Sequence, residues 1–478
     1  MKPKLAQRIA AQMAEEIVRD GWRVGAHFGV ETDLAARFGA GRWVIREAIA
    51  IAERNGLVET RRGRGGGLFV AGPAAGVISA KIRNHLEAMR ISTDELIAAR
   101  GVFEPFVAEL AVQRVKPEQA ERLAAGLRAL RPRPTTAEDW RALGGSLLGR
   151  SVRAANNVVA EVFLQSLVQY TWNRLAGAEA HHYGRFAEET HFKRAAMAEA
   201  ILGQDLGTAL AAAGSIVALS HEALSAADQA PPTAADRPRN GVLQRKADHV
   251  ADEIRADIVR HERPADWRLG SEAELMARYN VGRGVLREAI RSLEDLGVVT
   301  MRAGRGAGGL KVATPDSDAV ARHVRAFLVR AGADEADVLL TQERIDLAAS
   351  GLAARSPNRQ AHANALRRAA AEPIALSGRA VGDRILRQYE TMLEASGNPI
   401  LQFFGLMLAG MYEFPRPSLP ETDFQANLER VRGLWLVQAD HVGAGEGAEA
   451  RRAALNLRAT LHDLAPRRRL AKDVLSEV

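Results

Sequence analysis

Apolar residues recur at helical spacing at Ile9, Met13 and Ile17, and the same spacing returns at Val250, Ile254 and Ile258. One apolar stripe on an otherwise polar segment predicts an amphipathic first helix, ending near Gly21 in one place and near Glu262 in the other. A second helix is predicted over roughly Glu31–Phe38 and Glu272–Tyr279, each opening on acidic residues that suit the positive end of a helix. The tight turns Gly39-Ala40-Gly41 and Asn280-Val281-Gly282 follow, then a third helix running through Arg54 or Asp295. Beyond Gly56 and Gly297 the pattern becomes β-prone, with Leu57-Val58-Glu59-Thr60 and Val298-Val299-Thr300-Met301. Glycine-rich tips then lead back into Leu68-Phe69-Val70 and Leu310-Lys311-Val312. Two helices across a short turn, followed by a hairpin, predict a winged helix-turn-helix at each place.

The two patterns are copies. Gly41 to Ile49 reads GRWVIREAI and Gly282 to Ile290 reads GRGVLREAI, at an offset of 241 residues that holds without a gap from Ile9 to Gly65. Solenoid repeats run ~20–50 residues, so a period this long means duplication of a whole two-domain unit. The intervening segments are rich in Ala and Leu and poor in Gly and Pro, which predicts all-α bundles. Residues 94–111 align with 336–353, and Ala154-Ala155-Asn156-Asn157-Val158-Val159 aligns with Ala395-Ser396-Gly397-Asn398-Pro399-Ile400. A stretch rich in Pro, Ala and polar residues over 228–241 reads as the linker. The expected order is winged helix 1–72, helical module 73–227, linker 228–241, winged helix 242–314 and helical module 315–478, a mainly α fold with two small β wings.

Composition narrows the function. The 478 residues include no cysteine, which excludes disulfide frameworks, thiolate zinc sites and cysteine nucleophiles and points towards a cytoplasmic protein. No signal peptide is expected from the first residues, nor an apolar run of membrane-spanning length. The net charge is +7, and the two winged-helix windows carry +4 and +2 of it, with 12 Lys and Arg against 8 Asp and Glu over 1–72 and 13 against 11 over 242–314. Positive charge gathered on two small modules is what phosphate neutralisation requires. No Ser-His-Asp setting, phosphate loop or convincing carboxylate pair is present, so no enzyme activity is expected.

The third helix is the element that would enter a major groove, where an arginine fork matches guanine O6 and N7. Arg42 and Arg46 lie one turn apart near its start, as do Arg283 and Arg287, so one of each pair can read a base while the other holds a phosphate. The competing reading has one arginine tying down Glu47 or Glu288. Trp43 in the first copy faces Gly284 in the second. In the wings, Arg62, Arg64 and Gly65, and Arg302, Arg305 and Gly306, place arginines beside glycines that allow close approach to the sugar-phosphate backbone.

These residues resemble the DNA-binding domain of the GntR family of bacterial regulators, whose signature is similar to a Ser-Arg-x-x-Val-Arg-Glu-Ala-Leu helix followed by a Gly-Leu-Val strand and a Gly-Arg-Gly wing. The helical modules resemble the all-helical effector (FCD-like) domain of that family's FadR branch, through Arg100 to Pro105 and Ala395 to Pro399. The resemblance implies a DNA-binding transcription regulator, expected to be a repressor, with double-stranded operator DNA as partner. Relatives bind palindromes as homodimers with one head per subunit. Two heads in one chain therefore imply an intrachain pseudo-dimer on an imperfect palindrome, with further homodimerisation left open. Where many relatives place a DNA-contacting arginine, this chain has Thr32 and Ala273.

Many relatives also hold a divalent metal through an aspartate and three histidines. Aligned from the Asn turn, the aspartate place falls on Gly144 and Ile385, the first histidine place on Leu148 and Tyr389, and later ones near Arg194, Ile216, Trp435 and Leu457. Apolar side chains cannot ligate a metal, so neither a metal site nor any cofactor is expected. A small acidic metabolite remains a candidate effector. Arg100 is the residue that the resemblance assigns to it, Gln342 takes that place in the second copy, and Asn157, Tyr389 and Asn398 complete the candidate pocket. For Asn398, followed by Pro399, helix capping is the competing role. The alternative for the whole chain is an effector-independent architectural DNA-binding protein whose helical modules only mediate assembly.

Overall fold

The computed structural model describes residues 5–19, 25–54, 57–61, 63, 66–70, 75–128, 136–175, 180–229, 246–261, 263–264, 266–295, 297–302, 308–313, 316–372, 378–413, 421–464 and 469–470. The first winged helix is built from α1 (Leu5–Arg19), β1 (His27–Gly29), α2 (Glu31–Arg37), α3 (Arg42–Arg54), β2 (Val58–Arg61) and β3 (Gly67–Val70). Helices α4 (Ala75–Ala88), α5 (Thr93–Arg114), α6 (Pro117–Arg128), α7 (Ala137–Ala154), α8 (Val158–Leu175), α9 (Ala180–Leu202) and α10 (Leu206–Gln229) follow. The second head repeats the first as α11 (Lys246–Arg260), β4 (Arg268–Gly270), α12 (Glu272–Arg278), α13 (Arg283–Asp295), β5 (Val299–Arg302) and β6 (Gly309–Val312). The chain continues through α14 (Ser317–Arg330), α15 (Glu335–Arg355), α16 (Arg359–Ala371), α17 (Gly378–Ala395), α18 (Pro399–Ala409), β7 (Tyr412–Glu413), α19 (Glu421–Ala444), α20 (Gly447–Leu464) and β8 (Arg469–Leu470). The fold is mainly α, with two antiparallel three-stranded wing sheets ordered β1-β3-β2 and β4-β6-β5.

Each head closes on its own apolar centre. Ile9, Met13 and Ile17 of α1 meet Leu34, Ile45, Ile49, Leu68 and Val70 in the first. Val250 and Ile254 of α11 meet Leu275, Leu286, Ile290, Leu310 and Val312 in the second. The α1 and α11 stripes read from the sequence are therefore the core faces of these helices. Strands β1 and β4 were not foreseen, because three residues carry no usable alternation. Their pairing with β3 and β6 demands a backbone contact that excludes a side chain. A Cβ on Gly67 (φ +146°) would lie 3.0 Å from the Gly29 carbonyl oxygen, and one on Gly309 (φ +132°) would lie 2.5 Å from the Gly270 carbonyl oxygen. The heads differ at the start of the second helix. Ser271 forms a capping box with Glu274, whereas Val30 in the equivalent place offers no side-chain cap.

By spatial grouping the chain forms two compact units that interleave the copies. One contains residues 1–78, 156–163 and 321–478, and the other contains residues 79–155 and 164–320. In the first, the N-terminal turn of α8 packs against α15 and α18. Asn157 Nδ2 donates to the Thr341 hydroxyl at 3.2 Å, and the Phe163 ring stacks on Phe404 with centroids 3.9 Å apart and planes 9° from parallel. In the second unit the connecting helix α4 holds the second head: Arg255 of α11 donates to Asn84 Oδ1 at 3.1 Å, and Arg90 donates to the Arg263 carbonyl at 3.0 Å. His85, also on α4, lies 3.0 Å from the Ser317 hydroxyl.

One sequence expectation needs correcting. Helix α10, 24 residues long, is long and apolar enough to cross a membrane by length and composition, so the chain does contain a run of that kind. It packs against α5 and α9, burying Ala209, Ala213, Ile216 and Leu224, and its Ser220 hydroxyl accepts a hydrogen bond from the buried Arg100.

Candidate nucleic-acid interface

Helix α3 begins at Arg42, directly after Gly41, so Arg42, Trp43 and Arg46 project from its first turn and a half. All three are exposed, Trp43 by 65%. Arg46 Nε donates to Glu31 Oε1 at 2.8 Å. In the second head Arg287 Nε donates to Glu272 Oε1 at 2.6 Å and its terminal nitrogen to Glu272 Oε2 at 3.2 Å. Arg283 Nε stands 3.6 Å from the same carboxylate. Both partners of the pair are displaced by the 241-residue offset, so the clamp was duplicated with the heads. The acidic residue engaged is the first of α2 or α12, not Glu47 or Glu288 of the recognition helix itself.

The clamp fixes charge as well as direction. The hydrogen bond to Glu31, and then its charge, raise Arg46 above the usual guanidinium value, and Glu272 does the same for Arg287. The Arg287 hydrogen bond correspondingly holds the Glu272 carboxyl below its ordinary range. A guanidinium has five N–H donors in a rigid fork. Engaging one or two of them on a carboxylate orients the fork while donors remain for a base edge or a phosphate. Around Gly284 the space is open, since a Cβ there would meet nothing within 4 Å. The Trp43/Gly284 difference thus adds or removes a large apolar surface on an otherwise equal helix face.

Of the wing residues, Arg302 stands 3.7 Å from Asp266 Oδ1. Arg62, Arg64, Gly65, Arg305 and Gly306 lie outside the described residues. Arg61, which sequence reasoning passed over, bonds Glu59 at 2.6 Å and lies over the Phe69 ring at 4.3 Å, tying the wing strands together.

In the first helical module Arg100 is almost fully buried. It donates to the hydroxyls of Thr171 (3.1 Å) and Ser220 (2.6 Å) and to Glu104 Oε1 (2.6 Å). Arg194 takes both oxygens of the same carboxylate at 2.6 Å. Burial alone would push Glu104 up, but Arg194 and then Arg100, by charge and by hydrogen bonds, hold it below the ordinary carboxylate value. The arginine assigned to an effector thus already holds a carboxylate of its own chain. Asp346 occupies the Glu104 place in the second module. It accepts from the Tyr389 hydroxyl at 2.7 Å and from Arg458 at 2.5 Å. Gln342 is buried in the same module.

Glu104 and Asp346 were the residues missed. Their signal was present in the Arg-x-x-x-Glu-Pro motif and in its aligned Gln-x-x-x-Asp, since residues four apart share a helix face. Asn398 caps α18, its Oδ1 accepting from the Ile400 and Leu401 amides, and Asn157 caps α8 through the Ala160 amide. Both asparagines thus fix helix starts. At the family metal places, Gly144 lies against the His191 backbone. Among the described residues no three His, Cys, Asp or Glu side chains are grouped to hold a metal.

Comparison with known proteins agrees with this geometry. The family model for bacterial regulatory proteins of the gntR family matches residues 5–68 and again 246–308, and the FCD domain model matches residues 95–218. Similar proteins include an uncharacterized HTH-type transcriptional regulator of Mycobacterium tuberculosis, 30% identical over 143 residues, which are 28% of this chain and 56% of that protein. The Exu regulon transcriptional regulator of Escherichia coli K12 is 30% identical over 128 residues, covering 26% of this chain and 46% of the relative. The HTH-type transcriptional repressor NanR of Salmonella arizonae is 37% identical over 98 residues, covering 20% and 36%. The chain spans about half the length of the first of these curated relatives. A solved structure of a Streptococcus agalactiae GntR protein overlaps 45% of this chain and 99% of its own, with 16% identity and a TM-score of 0.30.

Proposed function

This chain belongs to the GntR family of bacterial regulatory proteins, and on that premise we propose that it is a sequence-specific transcription regulator whose two heads engage the two halves of one operator. The observation that carries this reading is the matched pair of recognition helices. Each presents two exposed arginines at its start, and each orients the second arginine on the leading glutamate of the preceding helix, at 2.8 Å and 2.6 Å. Covalent linkage makes the second contact intramolecular, so both heads bind at an effective concentration set by the chain rather than by the solution.

The pseudo-dimer arrangement draws support from Phe163 and Phe404. They are the same position in the two copies, and they stack face to face. A residue meeting its own duplicate is the mark of an isologous contact about a two-fold axis, which in relatives would relate two subunits. The regulator acts in the cytoplasm as a repressor by occluding the promoter, and a small acidic effector relieves binding by shifting how the heads are presented. It has no enzymatic role.

Sequencing of DNA selected by the purified protein, followed by footprinting on the selected site, tests the reading. Two unequal half-sites protected by one chain are expected. A perfectly symmetric operator, protection of one half-site, or a stoichiometry of two chains per site with one head of each idle would overturn the pseudo-dimer. Absence of any selected sequence would overturn the regulator.

A further inference from the structure

The two recognition helices agree on their inner faces and part company at one outer position. Inward, Ile45, Ala48, Ile49 and Ala52 of α3 fill the first core, and Leu286, Ala289, Ile290 and Leu293 of α13 fill the second. Outward, each helix opens with an exposed arginine and carries another one turn on, but beside them the first helix has Trp43 and the second has Gly284. Tryptophan is highly buried on average, so an indole left 65% exposed between two arginines is not accounted for by packing within its head. Trp43 and Arg46 stand three residues apart and share a helix face, and Glu31 fixes the direction of that arginine at 2.8 Å. Whatever Arg46 meets, the indole meets beside it.

The major groove offers little to such a group. Bases in a duplex are stacked, so the groove shows their edges rather than their ring faces, and among those edges the apolar feature is the C5-methyl group of thymine. An indole has one N–H donor on a broad apolar body. Charged phosphates give that body no partner, whereas a methyl group gives it area to take out of water.

We propose that Trp43 reads a thymine methyl group in the half-site bound by the first head, and that the second head, with Gly284 in that place, reads none. The arginines serve both heads alike. The ring is what makes the half-sites differ, so specificity in this chain is divided unequally between two otherwise matched helices. This inference deepens the operator reading and rests on it.

Replacing thymine by deoxyuridine removes the methyl group and leaves every hydrogen-bonding edge in place, which isolates the contact. The full chain is titrated at fixed salt with a selected operator in which each thymine is replaced in turn. One replacement, in one half-site, is expected to weaken binding by about three- to fivefold. In Trp43→Gly that penalty should vanish. In Gly284→Trp a similar penalty should appear in the other half-site once a thymine stands at the equivalent base pair. The added side chain has room, since a Cβ on Gly284 meets nothing within 4 Å, and this second variant decides the matter should Trp43→Gly fold poorly. The proposal fails if the first half-site contains no thymine, if no deoxyuridine changes the affinity, if the penalty survives in Trp43→Gly, or if the parent shows it equally in both half-sites. Any of these results on a selected operator removes the methyl contact and leaves the regulator reading standing. Absence of any selected operator removes both.

Discussion

At the scale of single residues, the glutamate clamps and the buried ion networks make opposite predictions. Glu31→Gln or Glu272→Gln removes a carboxylate that both orients an arginine and opposes the phosphate charge. Binding to random DNA should therefore tighten, while discrimination between operator and random DNA narrows. Titrations over a range of salt would show it, and unchanged discrimination would mean the clamp has no part in readout. Replacing Trp43 by Gly should shift the half-site preference of the first head towards that of the second, since the open space around Gly284 leaves the rest of the helix face alike. Selection of DNA by the variant would reveal two more similar half-sites; unaltered half-sites would take Trp43 out of the interface. Glu104→Gln leaves two buried guanidiniums without their shared anion and should cost about 3–5 kcal/mol of stability in denaturant unfolding. Because the Glu104 carboxyl is held below its ordinary value, its contribution is complete above pH 4.5 and fades only as pH falls through that lowered value.

Among elements, the wing and the connecting helix α4 carry the sharpest constraints. Gly309→Ala puts a Cβ 2.5 Å from the Gly270 carbonyl oxygen at a φ of +132°. The β4–β6 pairing should weaken by about 1–3 kcal/mol, the usual scale of such backbone strain. Amide exchange in β4 would report it, and native-like protection would show that the strand moves without cost. On α4, burial pushes His85 down to about 4, with Asp316 opposing. The folded protein thus keeps this ring neutral while the unfolded chain protonates it near pH 6.5, so stability is complete above that pH and is lost as pH falls towards 4, by about 3 kcal/mol at most. His85→Gln should flatten the dependence of melting on pH across that window, and an unchanged slope would locate the sensitive group elsewhere. Helices α1 to α3 and α11 to α13 were legible within two residues, because a fixed apolar stripe and a turn rich in glycine or asparagine mark them. The capping box at Ser271 was also written locally, whereas β1 and β4 were not, since their pairing is with distant strands.

For the whole molecule, Phe404→Ala should cost about 3–5 kcal/mol through loss of the stacked ring. If the stack holds the pseudo-dimer, protection of the weaker operator half-site should fall more than that of the stronger one; equal loss would mark the contact as stabilising only. The sequence by itself determined that there are two heads, where each lies, which helix of each presents arginines, and that the large modules are helical. All of these are local or repeated patterns that period, turn chemistry and a constant offset make visible. The tertiary structure decided which glutamate holds each recognition arginine, since Arg46 and Glu31 lie 15 residues apart on different helices. It also decided that Arg100 and Arg194 close on Glu104 rather than on solvent. It further decided that Phe163 finds its own duplicate 241 residues away. Those outcomes depend on which helix faces are brought together across long separations, and a buried charge declares its partner, or its lack of one, only once the chain has closed around it.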